Sequence, residues 1–350
     1  MGKTPQRSGG LVRDIAVDLG TSTVRAAVRG RGILLREPAV AAVDRETGRM
    51  LRAGEEARQM LGRTPGEVLA VRPLAEGVPR DGALAAAMLR EFLRKTAPGR
   101  VMKPRLLVGV PSGISPVDER ALVEAGLQAG ARRIYLMEEP LAAALGAGAD
   151  VQAPRGRMVV DVGGGTTDVA VTALGGIAAG ACLPAAGDAF DRALLQYIRQ
   201  EHGLLIGLRT AEEVKRAAGR VIEETGEPVP VKGRCLTTGL PRRIDLAPEE
   251  TVRALLPVAE TIAAAVEEVL ERTPPELAAD VASDGILLTG GGSLLRGLDR
   301  LIAQRTGIPA EVAEDPEEAV IRGLELTLPR LSRMREGVLD LARRRAVAPG

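Results

Sequence analysis

The chain of 350 residues has no Trp, and Phe and Tyr contribute two residues each. Aromatics make up only 1% of it. The cores must therefore be built from Ala, Val, Leu and Ile, and a platform that stacks nucleic-acid bases on rings is excluded. A single histidine, His202, argues against a His-based metal site or catalytic triad. Cys182 and Cys235 are the only cysteines; they stand far apart, match no zinc spacing and read as reduced cytosolic thiols. Charge of one sign is missing as well. Lys and Arg total 47 against 46 Asp and Glu, interspersed, so no general attraction to nucleic acid is expected. No uncharged apolar stretch approaches the ~20 residues needed to cross a bilayer. Residues 1–10 are polar and lack the apolar centre of a signal peptide. These absences predict a cytoplasmic protein, or one peripheral to a membrane.

What the chain does have is 45% hydrophobic residues, enough for full cores, and a length suited to about two domains. It also has glycine turns. Asp161-Val162-Gly163-Gly164-Gly165-Thr166-Thr167-Asp168 lies between the apolar runs Met158–Val160 and Val169–Val171. Short β-rich runs around a glycine cluster read as strand, tight turn, strand. Successive uncovered N–H groups form an anion nest suited to phosphate, and the two threonine hydroxyls add donors. Asp161 closes the first strand, where a carboxylate can hold a hydrated Mg²⁺ beside those phosphates. On its own the stretch also fits a hairpin without a ligand. It recurs, however: Asp18-Leu19-Gly20-Thr21-Ser22-Thr23 stands 143 residues earlier, between Ile15–Val17 and the apolar residues Val24, Ala26, Ala27 and Val28. The overlay matches Gly20 with Gly163 and Thr23 with Thr166. Two such units suggest two similar half-molecules whose turns grip a polyphosphate from both sides.

Patterning predicts a hairpin over 14–28 and a strand at 32–35. Helices follow at 81–95 and 116–129, the latter capped by Ser115, with strands at 105–110 and 134–137. Glu138-Glu139-Pro140 opens an Ala-rich helix to about Gly146. Further on come a strand at 176–183, helices at 188–200 and 210–221 with Thr210 and Glu213 at capping-box spacing, and a hairpin over 229–246. A long helix spans 248–272. A strand at 285–288 leads into Thr289-Gly290-Gly291-Gly292-Ser293, then helices at 294–306 and 315–326. Strands alternating with helices make this an α/β chain.

The third glycine turn precedes a helix, whose N-terminus favours anionic or polar ligand groups; a plain tight connection reads equally well. Glu139 sits at a strand-to-helix junction. Aimed into a phosphate cleft, it can orient water for in-line attack; otherwise it is a favourable charge at a helix start. Glu213 and Lys215 can meet a ribose or phosphate, or simply be solvated.

Asp18-Leu19-Gly20-Thr21, Glu138-Glu139-Pro140, Asp161 to Thr167 and Thr289 to Gly292 together resemble the actin, sugar-kinase and heat-shock-chaperone ATPase superfamily. More closely, the chain resembles the MreB/Mbl family of bacterial actins over about 12–328. Supporting stretches include Gly32 to Pro38, Gly62 to Gly66, Val110 to Gly113, Arg209 to Glu213, Glu271 to Leu277 and Leu294 to Leu298.

The resemblance implies an actin-like fold, two related α/β domains around a nucleotide cleft, each with a small inserted subdomain. Domain I would be 1–147 with an insert at about 33–76, completed by 318–350; domain II would be 148–317 with an insert at about 210–250. It implies ATP with Mg²⁺, and slow hydrolysis coupled to filament assembly. Thr21, Ser22 and Thr23 would form one phosphate loop, and Gly164, Gly165 and Thr166 the other. Glu212, Glu213, Val214, Lys215, Gly290, Gly291, Gly292 and Ser293 would hold the nucleoside. Glu139 and Thr166 would position the attacking water, and Asp18 and Asp161 would lie near the metal. Implied partners are further copies of the chain, the inner face of the cytoplasmic membrane, the cell-wall elongation machinery and a RodZ-type membrane adaptor. Val101 and Met102, flanked by Arg100, Lys103 and Arg105, resemble the family's short membrane-dipping loop, unless they merely begin the strand at 105. The Arg-rich tail from Arg330 to Arg345 is the next membrane candidate. Thr23 stands where the family usually has Asn, and Asp168 replaces a usual Glu. Rival readings are a sugar or acetate kinase, a chaperone-type ATPase and a scaffold that binds nucleotide without hydrolysing it.

Overall fold

The computed structural model describes residues 14–60, 66–99 and 102–331, with the backbone of a short strand at 338–339. Val101, most of the 62–66 stretch and the tail beyond 331, that strand apart, lie outside the described residues.

The first half opens with β1 (Asp14–Leu19), β2 (Thr23–Val28) and β3 (Gly32–Pro38). A small sheet follows, built from β4 (Ala41–Asp44), β5 (Met50–Ala53) and β6 (Val68–Val71), with α1 (Glu55–Arg58) between the last two. The ribbon of β7 (Leu74–Ala75) and β8 (Val78–Pro79) leads to α2 (Gly82–Thr96), β9 (Arg105–Val110), α3 (Pro116–Gln128), β10 (Arg133–Glu138) and α4 (Glu139–Gly146). The second half repeats the plan with β11 (Arg157–Val162), β12 (Thr167–Ala173), β13 (Gly176–Leu183) and α5 (Gly187–His202). Its small sheet comprises β14 (Leu204–Leu205), β15 (Val229–Cys235) and β16 (Pro241–Leu246), with α6 (Leu208–Ala218) inserted. Then come α7 (Pro248–Arg272), α8 (Pro275–Asp284), β17 (Ile286–Thr289), α9 (Leu298–Thr306), β18 (Ala310–Val312), α10 (Ala319–Thr327) and β19 (Val338–Leu339).

The two main sheets share one order. The first runs β19-β10-β9-β1-β2-β3 and the second β18-β17-β11-β12-β13. In each, a hairpin strand pairs antiparallel on one side (β1 with β2, β11 with β12) and parallel on the other (β1 with β9, β11 with β17). β1 is buried along its whole length and β11 from Met158 onward, which suits their continuous apolar runs. Helix starts follow their chemistry: Ser115 Oγ accepts from Asp118 N–H at 3.1 Å, and Asp81 from Leu84 N–H at 2.9 Å.

The halves meet along α4 and α10, which share one core with Ala16 and Leu107 of the first sheet and Val159 and Ala170 of the second. The helices cross backbone to backbone. A Cβ on Gly146 would strike the Ala319 carbonyl, and one on Gly323 the Ala142 carbonyl. Glycine is required there for close approach, and this seam leaves a cleft between the sheets.

Several boundaries differ from expectation. The helix predicted at 210–221 is α6, capped at Gly207 without a side-chain bond. Glu213 pairs with Arg209 one turn back rather than closing a capping box. The helix expected from Leu294 begins at Leu298, because Gly297 takes φ 85 and only a short 3-10 turn precedes it. α8 has no counterpart in the hydrophobic pattern. β3 stays in the main sheet through Pro38, so the first small sheet starts at Ala41.

Candidate functional site

The two glycine turns face each other across the cleft. A Cβ on Gly164 would strike Ser22 Oγ, and one on Gly165 would strike Thr21 Oγ1. The glycines are thus needed for the approach of the opposite turn. Gly163 N–H closes its own turn on Thr166 O at 2.9 Å, and Thr21 Oγ1 accepts from Gly77 N–H at 3.2 Å. Between the turns lies a cavity of about 360 Å³, a size suited to a small-molecule ligand. Thr21, Ser22, Thr23, Gly164, Gly165 and Thr166 all line it.

Its floor is acidic. Asp18, Asp161, Glu139 and the neighbouring Asp168 are buried. Asp18 is paired with Arg25 at 3.3 Å across the β1–β2 ladder, yet burial still raises its carboxyl above the usual range. Asp161 accepts from Thr289 Oγ1 at 2.7 Å; burial, with Asp18 adding repulsion, lifts it to about 6. Burial lifts Asp168 to about 7, although Ser112 N–H donates to its Oδ1 at 2.7 Å. Glu139 is held well above the usual carboxylate range, by burial first and then by repulsion from Asp168, Asp18 and Asp161. A floor this crowded with carboxylates suits a divalent cation. Among the described residues no three such groups converge closely enough to chelate an ion. The pair Asp18 and Asp161 would suit a cation held through water.

At the other end Glu212, Lys215, Gly290, Gly291 and Gly292 line the cavity, joined by Phe190, Leu294 and Leu295. Lys215 Nζ is fixed between Asp191 at 2.8 Å and the Gly187 carbonyl at 2.9 Å. Three expected nucleoside contacts do not reach the cavity. Glu213 is exposed on the Arg209 side of α6, Val214 is buried in the core, and Ser293 turns its hydroxyl back to the Gly290 carbonyl at 2.6 Å.

Other neighbours of the site carry no assigned role in the sequence reading. Arg25 and Asp168 occupy the same place in the two hairpins, directly across from Asp18 and Asp161, and counting ladder positions would have found them. Arg72 reaches over the cleft to both oxygens of Asp188 at 2.8 Å, and Ser112 reaches Asp168. These contacts span the two halves, and no local pattern encodes them.

The sequence profile described as MreB/Mbl protein matches residues 12–336. The chain belongs to the MreB/Mbl family. It is 44% identical to the cell shape-determining protein Mbl of Bacillus subtilis (strain 168), over 92% of this chain and 97% of that one. It is likewise 44% identical to the cell shape-determining protein MreB of Escherichia coli (strain K12), over 89% and 91%. Among solved structures, MreB 5 of Spiroplasma citri bound to AMPPNP superposes with a TM-score of 0.87 at 34% identity, covering 91% of this chain and 97% of that one. A MamK chain from a double helical filament gives 0.75 at 23% identity, covering 92% and 99%, a likeness of fold alone. The fold of this family member is accordingly actin-like, two α/β halves about a cleft.

Proposed function

We propose that this MreB/Mbl family member is an ATP-binding bacterial actin that assembles into filaments, hydrolyses ATP slowly and helps to maintain rod cell shape. The observation that carries the reading is the pair of facing glycine-threonine turns over a floor of buried carboxylates. Relatives named for cell shape and a relative bound to AMPPNP support it. Main-chain N–H groups of Gly164 and Gly165 and the hydroxyls of Thr21, Ser22 and Thr166 would take the phosphates. Lys215, Glu212 and the Gly290–Gly292 turn would hold the nucleoside. Asp18 and Asp161 would hold a hydrated Mg²⁺, which when bound neutralises phosphate charge.

Glu139 lines the cavity on the first half, where its carboxylate would orient the attacking water and accept its proton. Glu139→Ala should keep ATP affinity and lose phosphate release by roughly a hundred-fold or more. Unchanged turnover would discard the assignment and favour a scaffold that only binds nucleotide.

Membrane attachment belongs to the same reading. No helix among the described residues is long and apolar enough to cross a bilayer, so contact would be peripheral. Met102 is exposed beside Lys103; basic neighbours add about 1 kcal/mol each against anionic lipid. Filaments repeat the loop, so avidity turns marginal contacts into firm ones. The double change Val101→Ser with Met102→Ser should leave ATP-dependent polymers intact while releasing them from anionic liposomes. Polymers that still co-float would move the anchor to the Arg-rich tail. The wall-elongation machinery and a RodZ-type adaptor are the partners this role calls for.

A further inference from the structure

The floor of the cleft contains a closed ring of contacts that the reading above leaves unused. Ser112 belongs to the loop after β9, in the first half; Asp168 lies on β12, in the second. Ser112 N–H donates to Asp168 Oδ1 at 2.7 Å, so this bond joins the halves at the bottom of the cleft. The same loop supports its neighbours. A Cβ on Gly77 would lie 2.7 Å from Pro111 Cγ, and Gly77 N–H donates to Thr21 Oγ1 in the first turn. Thr21 in turn lies against Gly165 of the second turn. Glu139 occupies the space above this loop. A Cβ on Gly109 would lie 3.3 Å from Glu139 Cγ, and one on Gly77 would lie 4.0 Å from Glu139 Oε1. Glu139 is thus seated on Gly109 and Gly77, and both abut the segment that Asp168 holds.

We infer that Asp168 is a positioning residue for phosphate release: by accepting the Ser112 N–H across the cleft, it makes the seat of Glu139 depend on the two halves being closed. The inference rests on Glu139 orienting the attacking water. Asp168 is 1% exposed and does not line the cavity, so it acts through the loop and not on the nucleotide. When the halves part, the Ser112 bond is lost, the loop is released and Glu139 loses its support. Hydrolysis is then confined to the closed state, and a nucleotide that fails to draw the turns together is bound but not cleaved.

The experiment compares the wild type with Asp168→Ala and Asp168→Asn, at saturating Mg²⁺-ATP, measuring phosphate release and the affinity for a fluorescent ATP analogue. Asn retains an oxygen that accepts the Ser112 N–H; Ala does not. Asp168→Ala should lower kcat about ten-fold or more with affinity little changed, the signature of a misplaced group rather than a lost binding contact. Asp168→Asn should restore most of the rate. An Asn variant as slow as the Ala variant, a wild-type rate in Asp168→Ala, or a loss appearing only in affinity would overturn the inference. A wild type without turnover would sink the hydrolysis reading and this one together. A wild type with turnover and an unaffected Asp168→Ala would sink this one alone.

Discussion

The two halves build the same hairpin and charge it differently. At the strand ends far from the cleft each half has a satisfied pair with the signs exchanged. Asp14 on β1 takes two bonds from Arg105, at 2.6 and 2.8 Å, and Arg157 at the matching place on β11 meets Asp284 at 3.1 Å. At the cleft end the halves diverge. Asp18 faces Arg25 across its ladder, whereas Asp161 faces Asp168. The first half neutralises its buried carboxylate internally. The second sets two acids opposite each other and relies on the Thr289 hydroxyl and the Ser112 N–H. Where only stability is at stake the pairing is kept. At the cleft one half stays unneutralised, a charge that an incoming cation would offset.

The comparison breaks most completely if the turns can no longer meet. Gly164→Val places a branched side chain where Ser22 stands, so the two glycine turns are pushed apart. ATP affinity should fall by more than about 100-fold, or roughly 3 kcal/mol. Calorimetry on the variant, after circular dichroism confirms its fold, checks this; normal binding would make the turn structural. Next in size is removal of the first half's internal counter-charge. Arg25→Ala leaves Asp18 buried without its cation, at a cost of about 3 kcal/mol. The variant should melt well below the wild type in EDTA, and Mg²⁺ should recover part of the loss. An unchanged melting temperature would mean that Asp18 is adequately solvated and that the halves differ less than their ladders suggest.

Both hairpins were legible in the sequence because their signals are local. A run of β-branched residues, a glycine turn and a second run set the strands, and the recurrence 143 residues apart disclosed the duplicated plan. Ser115 as a cap and Glu139 at a helix start were equally local. The misses have physical reasons. α8 opens on Pro275 after its cap Pro274 and is only ten residues long, with Val281 its one buried residue, so it carries almost no apolar period. The start of α9 depends on Gly297 at φ 85, which leaves no trace in hydrophobic patterning. Glu213 has a suitable side chain on a suitable helix, but its face is decided by packing of Val214 and Ala211 into the core. The bonds that close the cleft, Arg72 to Asp188 and Ser112 to Asp168, join residues 116 and 56 positions apart, and they exist only because the seam of α4 and α10 brings the halves together.

The smallest effect is the one that reports the acid pair directly. Asp161 and Asp168 hold their protons up to about 6 and about 7 in the folded chain, against about 4 for an unfolded carboxyl. The folded state therefore binds more protons than the unfolded state between about pH 4 and pH 7, and this pair's contribution to stability falls as pH rises through that window. By about pH 8 both are charged and the repulsion is fully present. In EDTA the ion-free protein should melt a few degrees higher at pH 6 than at pH 8, a modest change because Asp161, at about 6, is already half ionised at the lower pH. Mg²⁺ with nucleotide should narrow the difference, since a cation on the floor favours the charged carboxylates and expels their protons. Asp168→Asn should flatten the EDTA profile while Arg25→Ala should steepen it, because the Arg25 guanidinium holds down the Asp161 carboxyl as well as that of Asp18. A wild type that melts higher at pH 8 than at pH 6 in EDTA would show that the second hairpin's acids are already ionised at neutral pH, and the charge difference between the halves would lose its energetic meaning.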